Sequence, residues 1–434
     1  MKKSYDIIIV GGGAAGCAAA YTAGTLGLKT LLIEKSGVLG GSMTSGLVIP
    51  AMAAAKNSIN TSFFNDLIKI MKKFGGQISY LKNPGWFNPE ILKIALDELL
   101  AKSGVDLLFN TTICNVNLIN KHIESIDVTR EILSAYNYTL YDGLKTLSVN
   151  IGTRYLVDTT GNCEIGKILN CNFLENEKDF QPFSLRFIMS GIDLGAYSSW
   201  LYAFDTDRSV TTVEEIDGSI HLSTAYTWDS TRKWALEPIF RDAIEKNILK
   251  PNDINYFQVF TIPGMHDSLA FNCPRIVDIE PNIGIASTSK ALTEGRKAIF
   301  RLSKFCKEYF PGFEKAYISN ISDMLGIRTS RRIKGKYVYT MNDIISGKKF
   351  KNPVAIADYP IDVHSKEKNC STLKKVGEYQ IPIEALMSAD IDNLYIAGRC
   401  ISCDFMAQGA IRIQPTCFSM GEGVAKYIKE QLTP

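Results

Sequence analysis

Asp6-Ile7-Ile8-Ile9-Val10-Gly11-Gly12-Gly13-Ala14-Ala15-Gly16 is the stretch around which the rest of the chain is organised. Ile7 to Val10 is a continuous apolar, largely β-branched run, as in a strand buried on both faces of a parallel sheet. Gly11, Gly13 and Gly16 follow at G-x-G-x-x-G spacing: one glycine for a tight turn, one for backbone approach to a pyrophosphate, one for close helix–strand packing. Ala14 to Leu28 reads as the next helix, whose N-terminus would offer free N–H groups and a positive dipole end to phosphate. A second strand, Lys29 to Ile33, leads to Glu34, about 20 residues on, where an acid accepts from a ribose hydroxyl. The alternative, a glycine-rich turn without a ligand, explains neither the strand before, the helix after, nor the closing acid. The stretch predicts dinucleotide binding.

The 434 residues allow one large domain or two to three ordinary ones. Hydrophobic residues make up 46% and charged residues 21%, which suits a folded core and excludes a disordered chain. A net charge of +3 gives no reason to expect nucleic acid or an anionic membrane as the main partner. Met1-Lys2-Lys3 before an apolar run imitates a secretory signal, but the glycine fingerprint explains that run better. No apolar stretch reaches membrane-spanning length. The 10 scattered Cys suit a reducing compartment, so a cytoplasmic protein is expected.

After Glu34, the loop Lys35 to Gly46 carries Gly40, Gly41, Ser42 and Thr44, which could face cofactor oxygens or simply form a surface loop. Phe63 to Phe74 has a helical pattern. Asn88-Pro89-Glu90 is the signature of a capped helix start, running to about Lys102. Val105 to Phe109 reads as a strand, Ile113 to Val116 and Ile123 to Val128 as a β-meander, and Arg154 to Gly161 as a late buried strand ending in a tight turn. From about Leu174 the character changes. Phe183 to Ile188, His221 to Tyr226 and Tyr256 to Ile262 read as strands of a mixed or antiparallel sheet. Ser287 to Tyr309 reads as helix and Tyr337-Val338-Tyr339 as strand-like. Asn393 to Gly398 is a final buried strand, and Gly409 to Leu432 holds the last helix.

The fingerprint, the Gly40-Gly41 loop, Asp158-Thr159-Thr160-Gly161, Tyr395-Ile396-Ala397-Gly398-Arg399 and Arg412-Ile413-Gln414-Pro415-Thr416-Cys417 together resemble FAD-dependent oxidoreductases of the glutathione-reductase-like fold. The bacterial group of that name is nearest, with fumarate reductase flavoproteins more distant. Gly326 to Arg332 and Tyr359 to His364 are similar to that group as well. The resemblance implies an α/β fold: a Rossmann-like FAD-binding domain with a three-layer β-β-α core, over 1–173 and 385–434, and an inserted α+β substrate domain over 174–384. It implies that Gly11, Gly13, Ala14, Ala15, Gly16, Glu34 and Lys35 hold the ADP half. Gly40, Gly41, Ser42 and Thr44 would lie near pyrophosphate and ribityl, Val116 near adenine, and Thr160, Gly161, Gly398, Arg399, Ile411 and Thr416 around the ribityl and flavin. Phe405 and Met406 fill a loop where relatives usually carry histidine, and Cys403 replaces a small residue. The Ser42-Met43 loop has no histidine for covalent attachment, so non-covalent FAD is expected.

The chemistry expected is hydride transfer between a small polar or anionic metabolite and flavin N5, with a separate electron acceptor or donor. Homo-oligomerisation is compatible with it. His364 is a candidate acid or base, because histidine titrates near neutral pH, and it follows Asp362; a structural histidine is the alternative. His266 is weaker, and His122 and His221 have little to recommend them. Arg328, Arg331 and Arg332 are candidate anion clamps or else structural ion pairs. Arg412, just before the last helix, could reach substrate or cofactor. Cys400 and Cys403 form a C-x-x-C pair that could exchange electrons with the flavin as a thiol–disulfide enzyme. Against that stands the lack of a second fingerprint for a nicotinamide cofactor. No metal site is expected, since no second C-x-x-C completes four zinc ligands. A non-catalytic FAD-binding electron-relay subunit is the remaining alternative.

Overall fold

The computed structural model describes residues 2–130, 148–174, 181–227, 234–280, 283–364 and 371–433. β1 (Ser4–Val10) carries Ile7, Ile8 and Ile9 fully buried, which is what a strand covered on both faces requires. It leads into α1 (Ala14–Thr25) and then β2 (Thr30–Ile33). The helix stops short of Leu28 because Leu26 and Gly27 close it, with Gly27 at φ +76°. Next come α2 (Ser62–Lys73), the hairpin β3 (Gln77–Tyr80) and β4 (Asn83–Phe87), and α3 (Pro89–Lys102). Asn88 caps α3, its Oδ1 accepting from the Glu90 N–H at 2.9 Å. β5 (Asp106–Leu108), β6 (Thr111–Ile119), β7 (His122–Arg130), β8 (Val149–Asp158) and the short α4 (Glu164–Ile168) follow. The sheet order is β5-β2-β1-β8-β7-β6: parallel from β5 to β8, then an antiparallel meander.

The middle of the chain builds a second core. Its elements are β9 (Phe183–Ser184), β10 (Phe187–Ser190), α5 (Leu194–Phe204), β11 (Thr211–Ile216), β12 (Ser219–Thr227), α6 (Glu237–Glu245), β13 (Tyr256–Ile262), β14 (Met265–Phe271), β15 (Arg275–Ile276), α7 (Ile285–Tyr309) and β16 (Tyr317–Ile321). Six of these strands form an antiparallel sheet in the order β11-β12-β13-β14-β10-β16. Aromatic pairs such as Phe187–Phe271, with centroids 4.3 Å apart, fill the core beneath it. The expected strand Phe183 to Ile188 is broken. β9 pairs with β15 while β10 pairs with β14, and Leu185 and Arg186 lie between.

The remainder returns to the first core through α8 (Met341–Ile345), β17 (Pro353–Ala357), β18 (Ile361–His364), β19 (Ser371–Lys374), β20 (Tyr379–Pro382), β21 (Leu394–Ile396), α9 (Phe405–Ile411) and α10 (Gln414–Leu432). Tyr337 to Tyr339 is not a strand; Tyr339 makes a single bridge to Cys403. The last helix, expected within Gly409 to Leu432, runs from Gln414 and is preceded by a separate short helix. Pro415 lacks the N–H that would bind the Ile411 carbonyl, so the chain breaks at Arg412-Ile413 and restarts. β21 pairs in parallel with the C-terminal half of β8. α10 lies directly on α1: a Cβ on Gly421 would stand 2.1 Å from the Ala15 carbonyl oxygen. Among the described residues, no helix is long and apolar enough to cross a membrane.

Candidate functional site

Val10 is in register with both Ile33 and Asp158, and Ile396 with Asp158, so β1, β2, β8 and β21 end side by side. The carboxyl edge of a parallel sheet is where such folds bind ligands. Gly11 adopts φ +104°, and a Cβ there would sit 2.7 Å from the Thr159 carbonyl oxygen. Gly16 is held tighter still, its Cβ position lying 1.9 Å from the Gly11 oxygen. Gly13 differs: a Cβ would meet nothing within 4 Å. The chain's own packing therefore does not require glycine at 13, whereas close approach of a ligand would. Gly13 is the N-cap of α1, which has no side-chain cap and no acid in its first turn. Its positive end is thus open to an anion.

Glu34 closes the cradle. Its Oε2 accepts from the Gly12 N–H at 2.6 Å, and its Oε1 from the Ser36 N–H and hydroxyl, both at 2.8 Å. Lys35 points to solvent. The loop after it returns to the glycine turn, the Gly40 N–H donating to the Gly12 oxygen at 2.7 Å. Ser42 is exposed, but the Thr44 hydroxyl turns inward onto the Leu39 carbonyl at 2.5 Å. It is thus directed at its own loop rather than at open space. The chain returns to this loop at Asn110, whose N–H donates to the Ser36 carbonyl at 3.1 Å, and at Thr111, whose N–H donates to the Glu34 carbonyl at 3.2 Å. Val116 lies five residues further along β6, a strand distance of roughly 17 Å.

A second turn backs the first. Asp158 is fully buried and accepts from Thr160 N–H (3.0 Å), Thr160 Oγ1 (2.7 Å), Ile165 N–H (2.9 Å) and Gly166 N–H (3.3 Å). Burial still pushes its carboxyl above the usual range. The Gly161 carbonyl accepts from Arg399 Nε at 2.9 Å and Ser330 Oγ at 2.8 Å. Arg399 also donates to Asn162 Oδ1 at 2.8 Å and to the Ile327 carbonyl. These bonds commit the guanidinium to the protein, as a clasp between turns. Gly398 stands over the first turn of α1, its Cβ position 3.4 Å from the Ala15 Cβ. Ile411 and Thr416, both buried, flank the break before α10, whose N-terminus also has no side-chain cap.

The arginines divide. Arg328 donates to the Pro182 carbonyl at 3.0 Å and to Ser184 Oγ at 3.3 Å. Arg412 donates to Gln181 Oε1 at 3.1 Å and the Asp362 carbonyl at 3.0 Å, with Asp362 Oδ2 at 3.8 Å. Burial, then neighbouring Arg412, Arg275 and Arg186, pushes Arg328 well below the usual arginine range. Arg186, 9% exposed, is pushed by burial to about 10. Sequence reading missed Arg186 and Arg275. The signal was a charged residue inside the apolar run Phe183-Ser184-Leu185-Arg186-Phe187-Ile188. Arg331 and Arg332 lie apart. Arg331 reaches the Asn162 carbonyl at 3.3 Å and Glu164 at 3.6 Å, and buried Arg332 donates to the Cys403 carbonyl at 3.1 Å.

His364 ends β18, and its side chain lies outside the described residues. His266 and His221 line a cavity of about 530 Å³ with Asp193 and Asp217, to which neither the glycine cradle nor any arginine contributes. His122 is 3.1 Å from Asn393 Nδ2. Cys400 and Cys403 are buried free thiols, and burial pushes Cys403 well above the usual thiol range. Cys400 stands near the Cys163 thiol of the other turn and, with burial, raises it well above the usual thiol range. Among the described residues, no cluster could hold a metal ion.

A 54-residue stretch is 44% identical to mitochondrial dihydrolipoyl dehydrogenase of Schizosaccharomyces pombe, covering 12% of this chain and 11% of that one. A 79-residue stretch is 33% identical to thioredoxin reductase of Bacillus subtilis, covering 18% and 25%. The chain thus matches a quarter or less of the length of these curated relatives. A geranylgeranyl bacteriochlorophyll reductase-like protein from Thermoplasma acidophilum aligns over 99% of this chain and 79% of its own, with a TM-score of 0.48 and 14% identity. The family model described as FAD dependent oxidoreductase matches residues 6–429. With that match across nearly its whole length, the chain belongs to the FAD dependent oxidoreductase family.

Proposed function

We propose that this oxidoreductase acts on a small polar or anionic metabolite. When bound, FAD would supply hydride transfer between a substrate carbon and flavin N5, with a separate electron partner completing the cycle. Gly11, Gly13, Gly16 and the start of α1 would receive the pyrophosphate, Glu34 the ribose, and the starts of β21's following turn and of α10 the flavin end. The observation that carries the reading is the position of Arg412, two residues before the uncapped start of α10 and beside Arg328. An anion held there would sit next to the helix terminus proposed for the flavin. His364 is the candidate proton donor or acceptor, on the sequence alone.

Residues 1–173 with 385–434 would hold the cofactor and 174–384 present the substrate, in a cytoplasmic protein distantly related to fumarate reductase flavoproteins. The thiol–disulfide alternative is disfavoured, since a buried thiol with a raised pKa is a poor nucleophile. The test is anaerobic mixing of the purified protein with a metabolite panel. Loss of the flavin band near about 450 nm with one small anion supports the reading. A flavin that no metabolite reduces, while artificial donors do, overturns it in favour of an electron-relay subunit.

A further inference from the structure

Four arginines from four separate segments come together, three of them close enough to act on the charge of Arg328. Arg186 comes from the break between β9 and β10, Arg275 from β15, Arg328 from the segment after β16, and Arg412 from the break between α9 and α10. Ser184 gathers three of them. It pairs with Arg275 in the β9–β15 ladder, and its Oγ accepts from Arg328 at 3.3 Å. It also binds the Gly326 N–H at 2.7 Å, and Arg186 Nη1 lies 3.5 Å from the Cβ position of Gly326. Arg412 joins through Gln181, next to the Pro182 carbonyl that Arg328 holds. Arg275 lies over the ring of Tyr256, its Cζ 4.1 Å from the centroid.

The charges do not balance. Among the described residues, the one ion pair made by any of the four is Arg412 with Asp362, at 3.8 Å. Among the described residues, the buried Nε atoms of Arg186, Arg275 and Arg412 find no acceptor. Among the described residues, four guanidiniums against one carboxylate leave an excess of three positive charges. Arginine does not shed its proton to escape such a site. Arg186 is buried and the other three are half-buried, and charge so far withdrawn from water is costly unless paired, so the excess calls for an anion. Planar guanidinium forks match planar carboxylates, and an excess of three exceeds what a monoanion offsets.

We propose that Arg186, Arg275, Arg328 and Arg412 form the substrate-recognition site and that its ligand is a small di- or tricarboxylate. This rests on the functional reading above and names its substrate class. Arg186 and Arg275 are then specificity determinants, and the site rejects monocarboxylates because they leave two guanidiniums unpaired.

The test is thermal denaturation of the purified flavoprotein with succinate, citrate, acetate or inorganic phosphate at matched ionic strength. Succinate or citrate should raise the melting midpoint, by ligand linkage, and acetate should not. Arg186→Gln should weaken that binding roughly 10- to 100-fold, yet melt no lower than the parent without ligand, because it removes one of several like buried charges. Arg186→Lys keeps the charge and loses the fork, and should weaken binding while leaving the unliganded midpoint unchanged. Arg331→Gln, outside the cluster, should bind as the parent does. Equal or tighter binding of phosphate, no response to any carboxylate, or Arg186 variants that melt well below the parent would each overturn the proposal. Carboxylate binding without flavin reduction would leave this site standing and remove the hydride-transfer reading. Flavin reduction by a monoanion, with no di- or tricarboxylate binding, would do the reverse.

Discussion

Thr159 Oγ1 lies 2.6 Å from the carbonyl oxygen of Gly11, joining the turn after β8 to the turn after β1. The same hydroxyl is 2.8 Å from the Val10 carbonyl, so one proton is shared between two acceptors at the carboxyl edge of the parallel strands. Thr159 therefore sets the path of the glycine turn without reaching the open space beside Gly13.

Thr159→Val keeps the shape and removes the donor. It should cost about 1–3 kcal/mol, the penalty for an unsatisfied buried acceptor, and speed flavin loss. Thr159→Ser should recover most of both. Melting curves and the rate of flavin release on dilution measure the two effects.

Gly13 and Gly16 should respond differently to alanine. At 13 the new methyl meets no protein atom, and φ is −77°, so Gly13→Ala should fold with a near-normal melting midpoint but retain little flavin. At 16 the methyl would press on the Gly11 oxygen, so Gly16→Ala should lower stability itself. Flavin absorbance per protein, read beside the midpoint, distinguishes the two.

Arg328 and Arg331, three residues apart, should have unequal effects on turnover. Arg328→Ala should lower kcat/KM by roughly 10- to 100-fold, as expected for losing a charged hydrogen-bond donor to substrate. Arg331 is 24% exposed and its Glu164 partner 46%, so Arg331→Ala should shift stability by only about 0–1 kcal/mol and leave turnover unchanged. Steady-state kinetics with the metabolite that reduces the flavin settles this.

Burial pushes the thiols of Cys17, Cys273 and Cys417 each from 9.0 to about 12. Below the unfolded value both states keep these protons, so this contribution is fully present at neutral pH. As pH rises from 9 toward 12 the unfolded chain loses them and the native chain does not. Stability should then fall by about 1.4 kcal/mol per pH unit for each such thiol. Denaturant melts between pH 8 and pH 11, compared with a Cys17→Ala variant of shallower slope, check the sign and the size.

Much of the architecture was legible because it is written in local pattern. The apolar run before Gly11 could only be a two-sided buried strand, and Asn88-Pro89-Glu90 could only open a helix. The errors fall where a local pattern is overridden from afar. Phe183 to Ile188 reads as one strand but is divided between two partners, β14 and β15. Tyr337 to Tyr339 reads as strand-like but makes a single bridge, from Tyr339 to Cys403.

What the chain determined by itself, then, is the glycine turn and the acid that closes it, since the spacing of Gly11, Gly13, Gly16 and Glu34 is a short-range property of one β–α–β unit. What the tertiary structure decided is which charged groups stand together. Arg328 and Arg412 are joined to Arg186 and Arg275, and Arg331 and Arg399 are turned to ordinary structural bonds. No spacing rule relates residues 186, 275, 328 and 412. Their meeting depends on β9 leaving its sheet to pair with β15 and on the helix break at Arg412. Both are long-range packing outcomes that local sequence does not encode.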